Sequence, residues 1–165
     1  MNKDKFKVGV TSPSFCNNGY LRNQLLDSFP NSIFNPKKTK LNSKEMLEYF
    51  IDVDAMIVSM EKIDASILEK LKNLKVISKF GVGMDNIDLK LCNSLDIQVN
   101  VTPGLNKVSV AEMTISFMIA LSRNMYQSSI KLKNGIWDKS NGGNDISHKN
   151  VGIIGCNNVG KEVVR

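Results

Sequence analysis

Histidine, tryptophan and paired cysteines are what this 165-residue sequence has least of. His148 is the only histidine and Trp137 the only tryptophan. A lone histidine in a polar loop, with no nearby metal-binding residue, gives no Ser/His/Asp constellation and a poor candidate for a catalytic base. The three cysteines, Cys16, Cys92 and Cys156, are odd in number and far apart, and no C-x-x-C pair occurs. That suggests neither a disulfide framework nor a zinc site and favours a reducing, cytoplasmic setting. Long apolar runs are missing as well, so neither a leader nor a membrane span is expected. Acidic residues are the scarcer charge, 16 against 22 basic, for a net charge of +6. The excess lies in lysine-rich stretches such as Pro36-Lys37-Lys38-Thr39-Lys40, without interleaved aromatics. They suit a solvated surface that attracts anionic metabolites and argue against a nucleic-acid interface.

What the sequence does have is short apolar runs alternating with helical patterns. Residues 7–11, 32–35, 55–59, 75–80 and 97–101 are expected strands. Between them, residues 20–29, 43–50 (capped by Ser43), 67–71 and 87–95 carry apolar residues at helical spacing. Ser12-Pro13-Ser14 reads as a break. This alternation implies right-handed crossovers and a parallel sheet, so residues 1–104 form an α/β, doubly wound, flavodoxin-like domain. Ser109-x-x-Glu112 reads as a capping box. Val110, Met113, Phe117, Leu121 and Met125 follow as one apolar stripe, placing a long linking helix in 105–137. Residues 138–148 are a polar Gly/Asn loop, and Val151–Gly155 is one more apolar strand.

Two glycine turns end strands. Gly81-Val82-Gly83 follows the strand at 75–80, where open α/β sheets bind ligands. Two glycines in three residues expose N–H groups that can hold a carboxylate, with Lys79 as a nearby cation. A purely structural turn satisfies the same pattern. Asp85 and Asp88 could pair as carboxylates, although Asp85-Asn86-Ile87-Asp88 reads more simply as a helix cap. The second turn, Gly155-Cys156-Asn157-Asn158-Val159-Gly160, fits the dinucleotide fingerprint except at its middle glycine. There the three glycines make the tight turn, let the backbone approach the pyrophosphate, and let helix pack on strand. Asn157 holds the middle position. Asn tolerates unusual backbone angles, so the turn can survive, but its side chain occupies space near the phosphate and predicts weakened or altered cofactor binding.

From about Asp54 onward the sequence resembles the D-isomer-specific 2-hydroxyacid dehydrogenases, in particular the D-3-phosphoglycerate dehydrogenase-like members. The resemblance rests on LKVISKFGVGMDNIDL, VTPGLNKVSVAEMTISFMIALSR, KLKNGIWDK and KNVGIIGCNNVGKEVVR, in that order. Residues 1–53 match only in strand–helix rhythm. The resemblance implies two Rossmann-like domains with substrate and NAD (or NADP) between them. It implies that Lys79, Gly81, Val82 and Gly83 hold the carboxylate of a small 2-hydroxy or 2-keto acid, with Val82 also near the nicotinamide. It implies that Gly155, Asn157, Asn158, Val159 and Gly160 form the cofactor turn, and that the helix from Ser109 joins subunits into a homodimer. The family's catalytic Arg, Glu and His fall beyond Arg165, as does its ribose-binding acid. The chain is thus expected to be the N-terminal part of such an enzyme, inactive alone, with 138–165 the start of a Rossmann NAD-binding domain that is poorly ordered or borrows contacts. The alternative is a non-catalytic small-anion-binding or partner module.

Overall fold

The computed structural model describes residues 5–140 and 142–165; the charged opening at 1–4, and Asn141 within the polar loop, lie outside them. By compactness the chain divides into two units, one up to Thr102 and one from Pro103.

The first unit is a five-stranded parallel sheet in the order β2-β1-β3-β4-β5. Its strands are β1 (Val8–Val10), β2 (Ile33–Phe34), β3 (Ala55–Val58), β4 (Val76–Lys79) and β5 (Gln98–Asn100). This is the flavodoxin-type order, as the alternation predicts. Helices α1 (Pro13–Asn17), α2 (Gly19–Ser28), α3 (Ser43–Phe50), α4 (Ala65–Leu68) and α5 (Leu89–Ser94) cross over between the strands. Register explains the two cores. Gly9, Met56, Ile77 and Val99 lie in one row, and Met56, Ile77 and Val99 pack with Met46 and Phe50 of α3, Ile67 and Leu68 of α4, and Cys92 of α5. Val10 and Ile57, one residue on, point to the other face and pack with Phe15, Cys16, Leu21 and Leu25 of α1 and α2. Each fully buried side chain of this size contributes about 1.5–3 kcal/mol.

Several local expectations shift. Pro13 does end β1, yet it also opens α1, where its fixed φ suits the first helical position and Ser12 Oγ accepts from Phe15 N–H at 3.3 Å. The cap of α3 is Asn42, not Ser43: Asn42 Oδ1 accepts from Glu45 N–H at 3.0 Å and Glu45 Oε2 accepts from Asn42 N–H at 2.9 Å. Asp88 caps α5, its Oδ1 accepting from Leu91 N–H at 3.0 Å.

The second unit contains α6 (Lys107–Ser122), α7 (Met125–Lys133) and α8 (Asn158–Val164). The expected capping box is displaced: α6 begins at Lys107, after a turn in which Gly104 has φ +73° and Lys107 N–H bonds Gly104 O at 3.1 Å, so Ser109 lies inside the helix. The expected single stripe is two helices, because Asn124 adopts the left-handed conformation at φ +50° and starts α7 in a new direction. The expected strand Val151–Gly155 is not formed; Ile154 is fully exposed, and among the described residues no strand lies beside it to complete a ladder. A parallel strand has no intrinsic hydrogen bonds, so an apolar run alone does not make one.

Candidate functional site

Both glycine turns are defined in atomic detail, each within its own unit. The first follows β4. Phe80 N–H continues the sheet to Val58 O at 2.8 Å, and the Phe80 ring meets Phe15 edge-on at 5.4 Å. The chain then leaves the sheet through Gly81 at φ +141°, a conformation that favours glycine. Gly81, Val82 and Gly83 are exposed, and among the described residues no acceptor receives their N–H groups. Together with Lys79, Ser59, Asp85 and Asn86 they line an open cavity of about 440 Å³ at the C-terminal ends of β3 and β4. The structure places Lys79, Gly81, Val82 and Gly83 around this one cavity.

Beneath that loop lies a polar clamp. Lys79 Nζ donates to Ser59 O and, at 2.6 Å, to Asn86 Oδ1. Asn86 Nδ2 donates to Ser59 O at 3.1 Å and to Glu61 O at 2.5 Å. Main-chain bonds continue it: Ile63 N–H to Asn86 O at 2.8 Å and Asp88 N–H to Ile63 O at 2.9 Å. Glu61 is buried, and its Oε2 accepts from Thr11 Oγ1 at 2.7 Å and Ser59 N–H at 3.1 Å. Burial pushes the Lys79 ammonium below its ordinary value, opposed by the Asp85 and Glu61 carboxylates. Lys79 thus spends two donors on the protein and keeps its charge beside the glycine loop. Sequence reasoning missed Asn86 and Glu61. Most of their partners, the Ser59 and Glu61 carbonyls for Asn86 and the Thr11 hydroxyl for Glu61, lie 25–50 positions away and leave no periodic trace; the one hint was an asparagine between two aspartates.

The second turn contains Gly155, Asn157, Asn158, Val159 and Gly160. Gly155 adopts φ +95°, and a Cβ on Gly160 would collide with the Gly155 carbonyl oxygen. The first and last glycines therefore meet the demands of the fingerprint. The middle position does not: Asn157 Oδ1 accepts from Val159 N–H at 3.1 Å and Gly160 N–H at 3.2 Å. Asn158 turns onto Gly104, where an added Cβ would lie 2.8 Å from its Nδ2. As it stands the turn does not fit a dinucleotide pyrophosphate, since its own amide takes donors the phosphate needs. His148 lies in a polar turn at φ +57° and is exposed. Among the described residues no group of three or more His, Cys, Asp or Glu could hold a metal ion, and no helix is long and apolar enough to cross a membrane.

The D-isomer specific 2-hydroxyacid dehydrogenase catalytic domain pattern matches residues 21–163. The chain belongs to this family. It is 37% identical over 127 residues to hydroxypyruvate reductase of Thermotoga maritima, covering 76% of this chain and 42% of that protein. It is 38% identical over 129 residues to D-3-phosphoglycerate dehydrogenase of Methanocaldococcus jannaschii, covering 77% of this chain and 25% of that protein. The chain thus spans less than half the length of these relatives. Among solved structures, the NAD⁺-bound 3-phosphoglycerate dehydrogenase of Entamoeba histolytica superposes with a TM-score of 0.74 at 29% identity, over 96% of this chain and 49% of that one. A putative D-isomer specific 2-hydroxyacid dehydrogenase from Polaromonas sp. JS6 66 gives a TM-score of 0.85 at 23% identity, over 96% and 50%, and shows the shared fold.

Proposed function

We propose that this chain is the substrate-side, N-terminal part of a nicotinamide-dependent 2-hydroxyacid dehydrogenase of the phosphoglycerate dehydrogenase-like kind. That class interconverts 2-hydroxy and 2-keto acids by hydride transfer to or from NAD or NADP. In this reading residues 1–104 form the substrate domain, 105–137 link it onward, and 138–165 open the cofactor domain. Gly81, Val82 and Gly83 grip the substrate carboxylate through their N–H groups, Lys79 supplies the opposing charge, and Val82 borders the nicotinamide. Gly155, Asn157, Asn158, Val159 and Gly160 stand in the place of the cofactor turn, with two of its donors held by the Asn157 amide. The complete enzyme is a cytoplasmic homodimer. The exposed Met113, Phe117 and Leu121 of α6 support such an interface.

The observation that carries the reading is the glycine loop after β4, with its N–H groups open above a half-buried lysine. Titration of the ¹⁵N-labelled chain with pyruvate tests it. The Gly81, Val82 and Gly83 amides should move together and saturate. Shifts spread over the lysine-rich surface, with these amides still, would overturn the grip. The chain alone should not oxidise NADH with 2-keto acids. A second reading, a non-catalytic small-anion-binding module, draws support from the side chain of Asn157. It predicts saturable pyruvate binding with no NADH binding.

A further inference from the structure

The two glycine turns differ in where their main-chain donors go. After β4 they face solvent. At 155–160 the amide oxygen of Asn157 accepts from both Val159 N–H, at 3.1 Å, and Gly160 N–H, at 3.2 Å. These are the donors at the start of α8 that the fingerprint turns toward a pyrophosphate. The backbone is otherwise shaped as the fingerprint requires, with Gly155 at φ +95° and Gly160 packed against the Gly155 carbonyl. The turn has therefore kept its form while its middle residue serves the donors internally. Asn157 itself has an ordinary extended backbone, φ −81° and ψ −162°, so nothing in its conformation demands glycine and nothing strains the asparagine.

We infer that Asn157 is an intramolecular competitor for the dinucleotide pyrophosphate, and that it holds this turn closed to the cofactor. The inference rests on the reading of 155–160 as the cofactor turn. A phosphate approaching it must first displace a side chain bonded to two N–H groups, and the displaced amide must then find room beside the phosphate. A cap of this kind is a neutral, two-donor arrangement, so its removal should tighten anion binding about fivefold, which corresponds to about 1 kcal/mol.

The experiment is a titration of the ¹⁵N-labelled 165-residue chain with NADH and, separately, with inorganic pyrophosphate, read at the Val159 and Gly160 amides. The same titrations are made on Asn157→Ala and Asn157→Gly. Alanine accepts the extended backbone and removes only the amide; glycine restores the fingerprint. The expected result is weak movement of these amides in the wild type, and saturable movement in both variants with about fivefold tighter apparent binding. Val159 and Gly160 amides that respond to NADH in the wild type as strongly as in the variants would overturn the inference, with no appeal to how the variants fold. Silence in all three proteins would overturn it too, because Asn157 would then not be what withholds the donors. A parallel pyruvate titration, read at Gly81, Val82 and Gly83, reports separately on the carboxylate grip, so the two readings fail on different amides.

Discussion

Replacing Asn86 with alanine should destabilise the first unit more than any other single change at the loop after β4. Three hydrogen bonds end on this side chain: Nδ2 to Ser59 O at 3.1 Å, Nδ2 to Glu61 O at 2.5 Å, and Lys79 Nζ to Oδ1 at 2.6 Å. The two neutral bonds are each worth about 1 kcal/mol net and the charge-assisted one about 2. All three lie at a half-buried rim where water can replace part of what is lost, so the expected cost is about 2–3 kcal/mol. Lys79→Met is the internal comparison. Burial depresses the Lys79 ammonium below its ordinary value of 10.5. A lowered folded value means that the charged lysine opposes folding below that value, and that this opposition fades as pH climbs toward 10.5. Its removal should therefore cost less than loss of Asn86, even though Lys79 also bonds Ser59 O. Urea unfolding followed by far-ultraviolet circular dichroism measures both. With a slope of about 2 kcal/mol per molar, Asn86→Ala should lower the midpoint by roughly 1 M or more. A midpoint unchanged in Asn86→Ala, or lowered as far by Lys79→Met, would refute the account of Asn86 as the clamp.

Gly9→Ala should cost about 1–3 kcal/mol in the same unfolding assay, because an added Cβ would sit 2.8 Å from Phe50 Cδ1 and 3.2 Å from Val53 Cγ1, both fully buried. Adding Phe50→Leu should lessen the penalty, whereas purely additive costs would count against the clash. The Lys62 ammonium at 2.8 Å, then Ser66, holds the Asp64 carboxyl at about 2 against an ordinary 3.8. Its contribution to stability is complete above pH 3.8 and lost as pH falls toward 2. Asp64→Asn keeps a capping oxygen for Ser66 N–H, so it should be less stable than wild type at pH 7 and indistinguishable from it near pH 2; a gap that persists there would locate the effect elsewhere. Pyruvate binding at the β4 loop should weaken as pH rises through the lowered Lys79 value, below 10.5, and Lys79→Met should bind weakly and without that pH dependence, as calorimetry can read.

The parallel sheet was legible because each strand carries its own apolar run and its own punctuation, and because helices between strands leave few topologies to consider. The grouping around the β4 cavity was legible for a simpler reason. Gly81-Val82-Gly83 and Lys79 are adjacent in sequence, so their meeting in one cavity needs no long-range information. Asn86, Ser59 and Glu61 were not legible, since their bonds join segments that only the fold brings together. Asn124 was hidden for a different reason: the apolar stripe continues through it, and only a left-handed backbone angle, to which asparagine is suited, redirects the helix. At 151–155 the local pattern was strand-like and the outcome was not, because a parallel ladder is a property of neighbours and not of the segment.

The two turns show how far a motif can carry a functional reading. Both are apolar runs that end in glycines, and both contain a glycine whose φ lies between +90° and +145°, +141° at Gly81 and +95° at Gly155. What separates them is the fate of their N–H groups. Around Gly81 the Asn86 side chain is committed below the loop, to two carbonyls and an ammonium, and the loop donors stay open. Around Gly155 the Asn157 side chain folds back onto its own turn. Anion binding by main-chain amides depends on donors left over after the protein has served itself. Counted that way, the open main-chain donors lie at residues 81–83, whereas at 155–160 the Asn157 amide takes two of them.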